Sequence, residues 1–437
     1  MELPRIHISS FVINAAFSCW STSICHIHLS VNSILCYVPR ERYYHNSVII
    51  NDRLLIFAGI KNKTYSSELI YLDLSKSFDN TNLSWNLIRE GDLPIYAYSS
   101  TSIVSLDNST IFLIGGYMVN KNTLDFDFSN LVYTYDYLTS KWTTPSITGD
   151  SVPIRQQMKG VIDDSGILYI FGGVRITDMT ATAGPSYNDM NTLNTSKMTW
   201  KNLTITNNLP PLSSDYSASI LRNGIIVYFG GQDNDTLVKM KDIKLFDTKK
   251  DEWSYMDATG DDVESRWGFA SVLTPDGYII IFGGCTLNYT SINPKVAVLD
   301  TNKSPYEWSI PSSSKVNSPP TIYGHTANLY YSYAIITFGY DADNVMYNSK
   351  VYLYDITNNT WVTLFNLPPP LSPDSTSAPT PTFTPSPKFL KPLLIGIGTV
   401  MGVIILTCIA IFIFRKKCKE GRKVENPILK IAGTESA

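Results

Sequence analysis

The sequence is poor in the residues that most often carry metal and redox chemistry. Its 437 residues include six cysteines and five histidines, and the formal net charge is −3. The cysteines show neither the CxxC spacing of a metal site nor the pattern of a disulfide framework, so we expect stability to come from packing. The sequence also lacks the basic surplus of a nucleic-acid-binding protein. The cysteines are Cys19, Cys25, Cys36, Cys285, Cys408 and Cys418.

Motifs of common enzyme classes are lacking as well. No glycine-rich phosphate loop precedes a predicted helix, and neither a G-x-S-x-G nor an H-E-x-x-H segment occurs. Several carboxylate pairs are flanked by turn residues, which favours solvated loop ends over acid–base pairs. We therefore expect no catalysis and no cofactor. The pairs are Asp125 with Asp127, Asp163 with Asp164, and Asp261 with Asp262.

The sequence contains instead a six-fold repeat of an apolar run that ends in glycine. The copies read LLIFAG, IFLIGG, LYIFGG, IVYFGG, IIIFGG and IITFGY and end at positions 59, 116, 173, 231, 284 and 340. Uninterrupted apolar runs are typical of strands covered on both faces. Glycine suits the end of such a strand, because it adopts a positive φ without a Cβ clash. Two copies deviate, since Ala58 and Tyr340 each replace one glycine of the pair.

Two further markers keep the same period. A tyrosine- or leucine-rich strand ending in Asp follows five of the glycine pairs, and the third repeat has a degenerate segment, NTLNT, at residues 191–195. A tryptophan also follows every pair and would bury a large area between neighbouring units. A further strand precedes each apolar run, so each repeat has four strands. Six repeats of four strands are typical of a radial array in which each repeat forms one blade. The tryptophans are Trp85, Trp142, Trp200, Trp253, Trp308 and Trp361.

This combination resembles the kelch-repeat family, whose motif is a glycine doublet followed at set distances by Tyr and Trp. The resemblance covers about residues 40–364 and implies an all-β, six-bladed kelch β-propeller over residues 37–366, similar to the central domain of galactose oxidase. The copper site of that enzyme needs two histidines and two tyrosines, one of them cross-linked to a cysteine, and this set is not recognisable here. The expected structural glycines are Gly59, Gly115, Gly116, Gly172, Gly173, Gly230, Gly231, Gly283, Gly284 and Gly339.

The N-terminal segment and the asparagines indicate the secretory pathway. Residues 8–20 are moderately apolar behind Arg5, which favours a signal or leader over residues 1–36. A frayed terminus, or a strand near residues 34–38 that closes the ring, is the alternative. N-x-[ST] sequons fall in predicted loops and strand ends, where a glycan is tolerated. The sequon asparagines are Asn62, Asn82, Asn108, Asn194, Asn202, Asn234, Asn288, Asn302 and Asn358.

Behind the repeats the composition changes twice. Residues 367–392 are rich in Pro, Ser and Thr, cannot bury a core and predict an extended stalk. Residues 393–414 carry no charge, and a helix of that length spans about 33 Å, enough to cross a membrane. Six basic residues follow it directly, so the positive-inside rule places the tail, residues 415–437, in the cytosol and the propeller outside. This predicts a single-pass type I protein, similar to kelch proteins of fungal-type cell surfaces.

The membrane segment and tail contain two further candidate features. Cys418 lies just past the apolar segment and is a candidate for S-palmitoylation, with a plain thiol as the alternative. The small-residue pair Gly398 and Gly402 has the G-x-x-x-G spacing of a helix dimerisation face and predicts a weak homodimer, although glycine is common in such helices.

Candidate binding residues recur at equivalent repeat positions. Arg42, Arg155 and Arg266 precede the closing glycine of repeats one, three and five by 17 or 18 residues. In a propeller they would lie around the channel, where they could bind a carboxylate or an acidic loop of a partner; each could also cap its own blade through backbone carbonyls. His45 and His325 also share a repeat position, which favours a structural role over a metal pair. Alternatively, the loops after the glycine pairs form the binding face, the longest being residues 117–130 and 174–191.

Three functions are compatible with these features. The first is a membrane-anchored propeller that displays a binding surface to an extracellular protein or glycan. The second is a copper oxidase of the galactose oxidase type in the secretory pathway, against which the scarcity of histidine argues. The third is a tail-anchored scaffold with a cytosolic propeller, which conflicts with the charge asymmetry and leaves the sequons without a role. The first is the one we expect.

Overall fold

The computed structural model describes residues 12–15, 29–32, 37–181, 183–312 and 315–368. Regular structure in this part is β-strand, apart from a 3-10 turn at Arg89–Gly91. The chain divides into two compact units, Met1–Pro368 and Pro369–Ala437, and the second lies outside the described residues. The described part holds no helix long and apolar enough to cross a membrane. The predicted span at 393–414, with Gly398 and Gly402, and the tail with Cys418 lie outside that part, as does most of the expected leader.

The six sequence repeats form six antiparallel sheets, here called blades one to six, in which four strands pair in the order first, second, third and fourth. Blades one to three have the strands Asn46–Ile50, Arg53–Phe57, Ile70–Asp73 and Trp85–Leu87; Thr101–Val104, Thr110–Ile114, Val132–Asp136 and Lys141–Thr143; and Gly160–Ile162, Ile167–Phe171, Met190–Asn194 and Thr199–Leu203. Blades four to six have Ser217–Ile220, Ile225–Phe229, Asp242–Asp247 and Glu252–Asp257; Ala270–Leu273, Tyr278–Phe282, Val296–Asp300 and Glu307–Ser309; and Thr326–Tyr330, Tyr333–Thr337, Val351–Asp355 and Thr360–Val362.

Short strands decorate the blades. Two of them, Thr148–Gly149 and Thr259–Gly260, run parallel to the fourth strands of blades three and five. In blade one, Tyr37 forms a bridge with Trp85 of the fourth strand, and Leu364–Phe365 behind blade six pairs with Phe78–Asp79. The remaining pieces are Val12–Ala15, Leu29–Asn32, Ile60–Lys61, Thr64–Tyr65, Tyr96–Tyr98, Tyr117–Val119, Ser213–Ser214, Gln232–Asp233, Thr236–Leu237, Ile322–Tyr323, Tyr340–Asp341 and Met346–Tyr347.

The core lies between the blades, and the second strands supply its centre. In every second strand the last four residues are buried. Successive side chains of a strand point to opposite faces, so each second strand serves two interfaces. Leu55 packs in one cluster with Leu113 of blade two, whereas the adjacent Ile56 packs with Ile335 of blade six. Each such side chain contributes about 1.5–3 kcal/mol when it is fully buried.

Backbone hydrogen bonds from the closing glycines join the blades into a ring. The N–H of the glycine that ends the repeat motif donates to a carbonyl of the next blade in all six cases, and the last bond returns to blade one. Each of these glycines has a φ between 73° and 98°, which disfavours any other residue. The bonds run from Gly59 to Ala97, Gly116 to Arg155, Gly173 to Ser213, Gly231 to Arg266, Gly284 to Ile322 and Gly339 to Arg42, at 2.8–3.0 Å.

The structure corrects the register of the sixth repeat. Gly339, not Tyr340, takes the closing position, because Gly339 has a φ of 96° and makes the hydrogen bond to Arg42. Phe338 therefore stands where the other repeats have their first glycine, with a φ of 57°, as Ala58 does in the first repeat with a φ of 61°. Both side chains are fully buried: Ala58 packs between blades one and two, and Phe338 packs at the junction of blades one and six. The degenerate third repeat forms an ordinary third strand, Met190–Asn194.

The motif tryptophans lie in or beside the fourth strands and contact the preceding blade. Trp142 of blade two makes an edge-to-face contact with Phe57 of blade one, with 5.3 Å between the ring centroids, and donates its indole N–H to the carbonyl of Gly91. The ring centroids of Trp253 in blade four and Phe171 in blade three lie 4.7 Å apart. Across the junction that closes the ring, Trp85 of blade one lies 5.7 Å from Phe338 of blade six. The same ring packing thus recurs around the molecule and does not depend on a single closing strand.

Candidate functional site at the mouth of the central channel

Six equivalent residues directly before the first strands surround the entrance of the central channel, and we call them the collar. All six have φ between 51° and 65°. Five backbone N–H to C=O hydrogen bonds of 2.7–3.2 Å run from one collar residue to the next, including one from Tyr44 to Gly324 that joins blades one and six. The entrance is therefore held by main chain, which leaves the side chains free for contacts. The collar consists of Tyr44, Ser99, Gln157, Asp215, Gly268 and Gly324.

The channel behind the collar is polar and has a volume of about 370 Å³. Its walls come from the first strands of five blades and, in blade three, from the residues just before the first strand, and they present many hydroxyl and amide groups. Hydrogen bonds link these groups across blade boundaries, as between Ser217 and Ser271 at 2.6 Å and between Ser47 and Thr326 at 2.7 Å. The channel is therefore lined with paired polar groups, and it is too polar to serve as an apolar ligand pocket.

Two ionisable side chains of opposite charge line the channel. Asp215 belongs to the collar, and its carboxylate accepts hydrogen bonds from Ser214 and from the Gln232 amide, each at 3.3 Å. Burial raises the pKa of Asp215 to about 7, because a carboxylate loses hydration there. Lys159 lies two residues beyond the collar in blade three and is exposed to solvent. In the described part of the chain, no ion pair within 4 Å involves Asp215.

Aromatic side chains cover the same face and form what we call the aromatic mouth. One run of ring contacts, with centroids 4.4–5.7 Å apart, joins residues of blades five, six and one. A second run joins blades one and two, with 4.6 Å between Tyr98 and Tyr117. Burial raises the pKa of Tyr43 to about 12, so its hydroxyl stays protonated at neutral pH. The aromatic mouth consists of Tyr43, Tyr44, Tyr65, Tyr96, Tyr98, Tyr117, Trp267, Tyr289, Tyr323, Tyr340 and Tyr347.

The three repeated arginines lie inside their own blades and are not among the channel-lining residues. Each guanidinium donates to the carbonyl of the residue that precedes the closing glycine: Ala58, Gly172 or Gly283. Each also binds the loop that follows. Arg42 pairs with Glu68 at 2.8 Å, Arg155 makes two bonds to Asp189 at 2.8 and 2.9 Å, and Arg266 donates to the carbonyl of Pro294 at 2.7 Å.

These contacts are those of a structural role, in which each arginine caps its own blade through backbone carbonyls. Their side chains are at most 1% exposed, so a ligand at the mouth meets them only if a blade opens. A direct binding role for Arg42, Arg155 and Arg266 stays a prediction. Equal spacing in the sequence identified an equivalent position, and burial and partners were visible only in the folded blade.

The two repeated histidines follow the collar and line the channel. The Nε2 of His45 lies 3.0 and 3.1 Å from the hydroxyls of Thr326 and Thr337 of blade six, across the closing junction. Burial lowers the pKa of His325 to about 4, so this ring is neutral at physiological pH. Among the described residues, no group of three or more His, Cys, Asp or Glu side chains is arranged to hold a metal ion. The free thiol of Cys285 is buried below Trp267, and burial raises its pKa to about 12.

Asp215 and most of the aromatic mouth were missed at the level of the sequence. Asp215 is the residue of repeat four that corresponds to Tyr44, one position before the histidines. An alignment of the six repeats on that position would have found it, because it is the only acidic residue there. Some of the aromatic residues had the same signal, because Tyr43, Tyr98, Trp267 and Tyr323 each directly precede a collar residue. The other tyrosines of the mouth come from different parts of their repeats.

The ring of four-stranded blades, the closing glycines and the polar axial channel define a kelch-repeat β-propeller. The chain belongs to the family described as the KLHDC2/KLHL20/DRC7 Kelch-repeats domain, whose family model matches residues 9–231 and 218–379.

Curated relatives and a solved structure agree with this assignment. The chain is 26% identical over 291 residues to acyl-CoA-binding domain-containing protein 5 of Arabidopsis thaliana, covering 64% of this chain and 41% of the relative. It is 29% identical over 262 residues to Kelch domain-containing protein 3 of Rattus norvegicus, covering 56% and 64%. The chain thus spans less than two thirds of either relative. The solved structure of YjhT superposes with a TM-score of 0.56 at 13% identity, covering 76% of this chain and all of that one, which shows the fold alone.

Proposed function

We propose that this kelch-repeat protein binds a protein partner through the aromatic mouth, with its propeller held outside the cell by a membrane anchor. The aromatic mouth itself carries the proposal. Tyrosine and tryptophan are enriched at protein interfaces, because they combine large rigid contact area with a polar group. Here ten tyrosines and one tryptophan gather around a main-chain collar. Kelch domains generally bind proteins, and no metal cluster in the described residues favours catalysis instead.

The mouth is favoured over the opposite face for a physical reason. The loops between second and third strands all project on the mouth side, and repeat arrays bind ligands with loops that project from one face. The opposite face consists mainly of tight turns between first and second strands, such as Tyr330–Tyr333 in blade six. Tyr289 of the mouth is 53% exposed, so part of the aromatic surface is open to a partner.

Extracellular placement is supported by the apolar segment 393–414 with its basic flank and by the sequons. None of the nine sequon asparagines is buried. Asn62, Asn234 and Asn288 lie in mouth-side loops of blades one, four and five. The other six asparagines lie elsewhere on the propeller, so glycans would leave the mouth side of blades two, three and six open.

Two matched tyrosine variants test the binding face. Tyr289 on the mouth and Tyr331 on the opposite face are 53% and 57% exposed, and both have a positive φ of 60° and 51°. The full chain is expressed in a eukaryotic host, and its neighbours are captured by cell-surface cross-linking and identified by mass spectrometry. We expect a protein that is captured by the wild type and by Tyr331→Ala but lost with Tyr289→Ala. Equal capture by all three chains would refute a partner site at the mouth.

The placement of the propeller is tested separately by treating the full chain with an N-glycosidase. A large gain in gel mobility, equivalent to several glycans, is expected for a propeller that passed through the secretory pathway. An unchanged mobility would indicate a cytosolic propeller on a tail anchor, and the partner would then be sought in the cytosol.

A further inference from the structure

The collar contains one charged residue, Asp215. The equivalent residues of the other blades are Tyr44, Ser99, Gln157, Gly268 and Gly324, all neutral. Asp215 lies on the wall of the channel entrance, and from the described residues its side chain accepts two hydrogen bonds of 3.3 Å, from Ser214 and Gln232. A half-buried carboxylate that lacks a cation is costly, and a cation of a ligand would recover part of that cost.

The groups around this carboxylate favour a positive charge. Tyr44, Tyr117, Tyr289 and Cys285 lie within its electrostatic range, because the charge of Asp215 adds to burial in raising the pKa of each. These four groups are neutral at physiological pH, so the phenol rings offer electron-rich faces without a competing charge.

The other charged groups of the channel do not neutralise Asp215. Lys159, His45 and His325 also line it, but Lys159 is exposed to solvent and forms no ion pair with Asp215. Burial lowers the pKa of His45 well below its usual value and that of His325 to about 4, so both rings are neutral at physiological pH. The Lys159 side chain has no ion-pair partner in the described part of the chain, Asp215 included.

The rim of the aromatic mouth already holds ammonium groups over aromatic rings. The Nζ of Lys61 lies 5.8 Å from the ring centre of Tyr347, and the Nζ of Lys121 lies 5.6 Å from that of Tyr96. These distances are those of cation–π contacts. The rim thus binds the ammonium groups of Lys61 and Lys121 on aromatic rings. At the centre, the carboxylate of Asp215 has no ammonium group of the described chain beside it.

Building on the proposed function, we propose that the protein partner inserts a lysine or arginine side chain through the collar to pair with Asp215. The basic group would stack on the phenol rings at the entrance and reach the carboxylate, and the stem would pack against the aromatic mouth. The channel volume of about 370 Å³ lies in the range of small-molecule sites, about 300–1,000 Å³, and therefore admits one such side chain.

Capped pentapeptides test this assignment on the full chain. The probes have the sequence acetyl-Gly-Gly-X-Gly-Gly-amide, with X as Lys, Arg, Gln or Glu, and saturation-transfer NMR reports the contact of each side chain with the protein. Because charge-assisted bonds are among the stronger ones, we expect the Lys and Arg probes to bind at least about tenfold more tightly than Gln, and Glu to show no binding. Equal binding of the Lys and Gln probes would overturn the proposal.

Two variants make the result specific to Asp215. Asp215→Asn keeps the side-chain shape and tolerates the positive φ of 56°, so the collar is expected to remain intact. It should lower the affinity for the Lys and Arg probes about tenfold, whereas Asp164→Asn, in an exposed turn at the opposite end of blade three, should leave it unchanged. A wild-type affinity in Asp215→Asn refutes the carboxylate as the recognition group.

Further arms test the side chain alone and separate the two proposals. n-Butylammonium carries the ammonium group and the stem of a lysine side chain, so we expect it to compete with the Lys probe, and a failure to compete would refute insertion of the side chain. If Tyr289→Ala abolished capture of the partner but Asp215→Asn did not, the mouth would be a binding face and the basic side chain would be refuted. If Tyr289→Ala changed nothing, the proposed function would fail, and the peptide probes would still decide on the cation site.

Discussion

The backbone N–H of Gly339 donates a hydrogen bond of 3.0 Å to the carbonyl oxygen of Arg42 and so connects blade six to blade one. The same bond joins every other pair of neighbouring blades. Blades six and one are therefore joined by the same hydrogen bond as all other neighbouring blades. Each blade takes its four strands from one continuous repeat. Closure at this point also brings Tyr43 and Tyr44 next to Tyr323, which assembles part of the aromatic mouth.

The closing glycines should be intolerant of any side chain. In Gly339→Ala the new Cβ would lie 2.8 Å from the Cβ of His325 and 2.9 Å from the carbonyl of Tyr323, at a φ of 96°. Gly224→Ala is the matched control, because its φ is 88° but its neighbours are the ends of the Thr248 and Lys249 side chains. We expect Gly339→Ala to lose about 1–3 kcal/mol more of the free energy of unfolding than Gly224→Ala. Chemical denaturation measures both, and equal losses would contradict this reading of the junction.

The buried arginines should be required for stability. Arg155→Met leaves the carboxylate of Asp189, which makes two bonds to the guanidinium, without its cation. Removal of one partner of a buried pair costs about 3–5 kcal/mol, whereas Arg222→Met, at an exposed turn, should change stability by less than about 0.5 kcal/mol. Thermal unfolding compares the two variants. If Arg155→Met were as stable as the wild type but no longer bound the protein partner, the arginine would instead have a role in binding.

The stability of the propeller should fall as the pH rises from about 4 to about 7. The pKa of Asp215 is raised to about 7, so over this interval the folded chain holds a proton that the unfolded chain has lost; the stability that this proton provides is lost progressively and is gone above pH 7. The stability of Asp215→Asn should not fall in this way, because an asparagine does not titrate. The variant should therefore gain stability relative to the wild type between pH 5.5 and 8.5, by less than about 2 kcal/mol, because the carboxylate is partly open to the channel and solvent weakens the effect.

Binding of the Lys probe should change with pH in the opposite direction. Only the charged carboxylate attracts an ammonium group, so affinity rises as the pH increases through 7. Burial keeps the pKa of His325 near 4 and raises that of Cys285 to about 12, so neither titrates in this interval. Titration of the probe at pH 5.5 and 8.5 measures the change, and an affinity that falls with pH would contradict an ion pair with Asp215.

Glycan occupancy should follow the exposure of the sequon amides. Asn62, Asn82, Asn234 and Asn288 are exposed, and the structure gives their side-chain nitrogens no hydrogen bond within the described residues. The Nδ2 of Asn202, in contrast, donates to Asn191 at 3.1 Å beside the buried Arg155 pair. We expect glycopeptide mass spectrometry to find the first four occupied and Asn202 empty. Full occupancy of Asn202 would show that this part of blade three opens before it is glycosylated.

The repeat pattern predicted much of the architecture, because each marker reports a local requirement. The apolar runs predicted the second strands, which are buried in all six blades. The register of the sixth repeat was one residue wrong, since its sequence contains a single glycine and both neighbours are aromatic. Only the approach of the Arg42 carbonyl decided that Gly339 occupies the closing position.

The sequence by itself determined the number of blades, their four strands and the junction glycines, and it remains the basis for the expected stalk, membrane segment and tail. The tertiary structure decided where the repeated side chains go. In the folded chain, Arg42, Arg155 and Arg266 are buried inside their blades, and Asp215 is the one charged residue of the collar. The reason is ring closure: a blade's own contacts are local and appear in its repeat, whereas the mouth is formed by residues that meet only when six separate blades surround one axis.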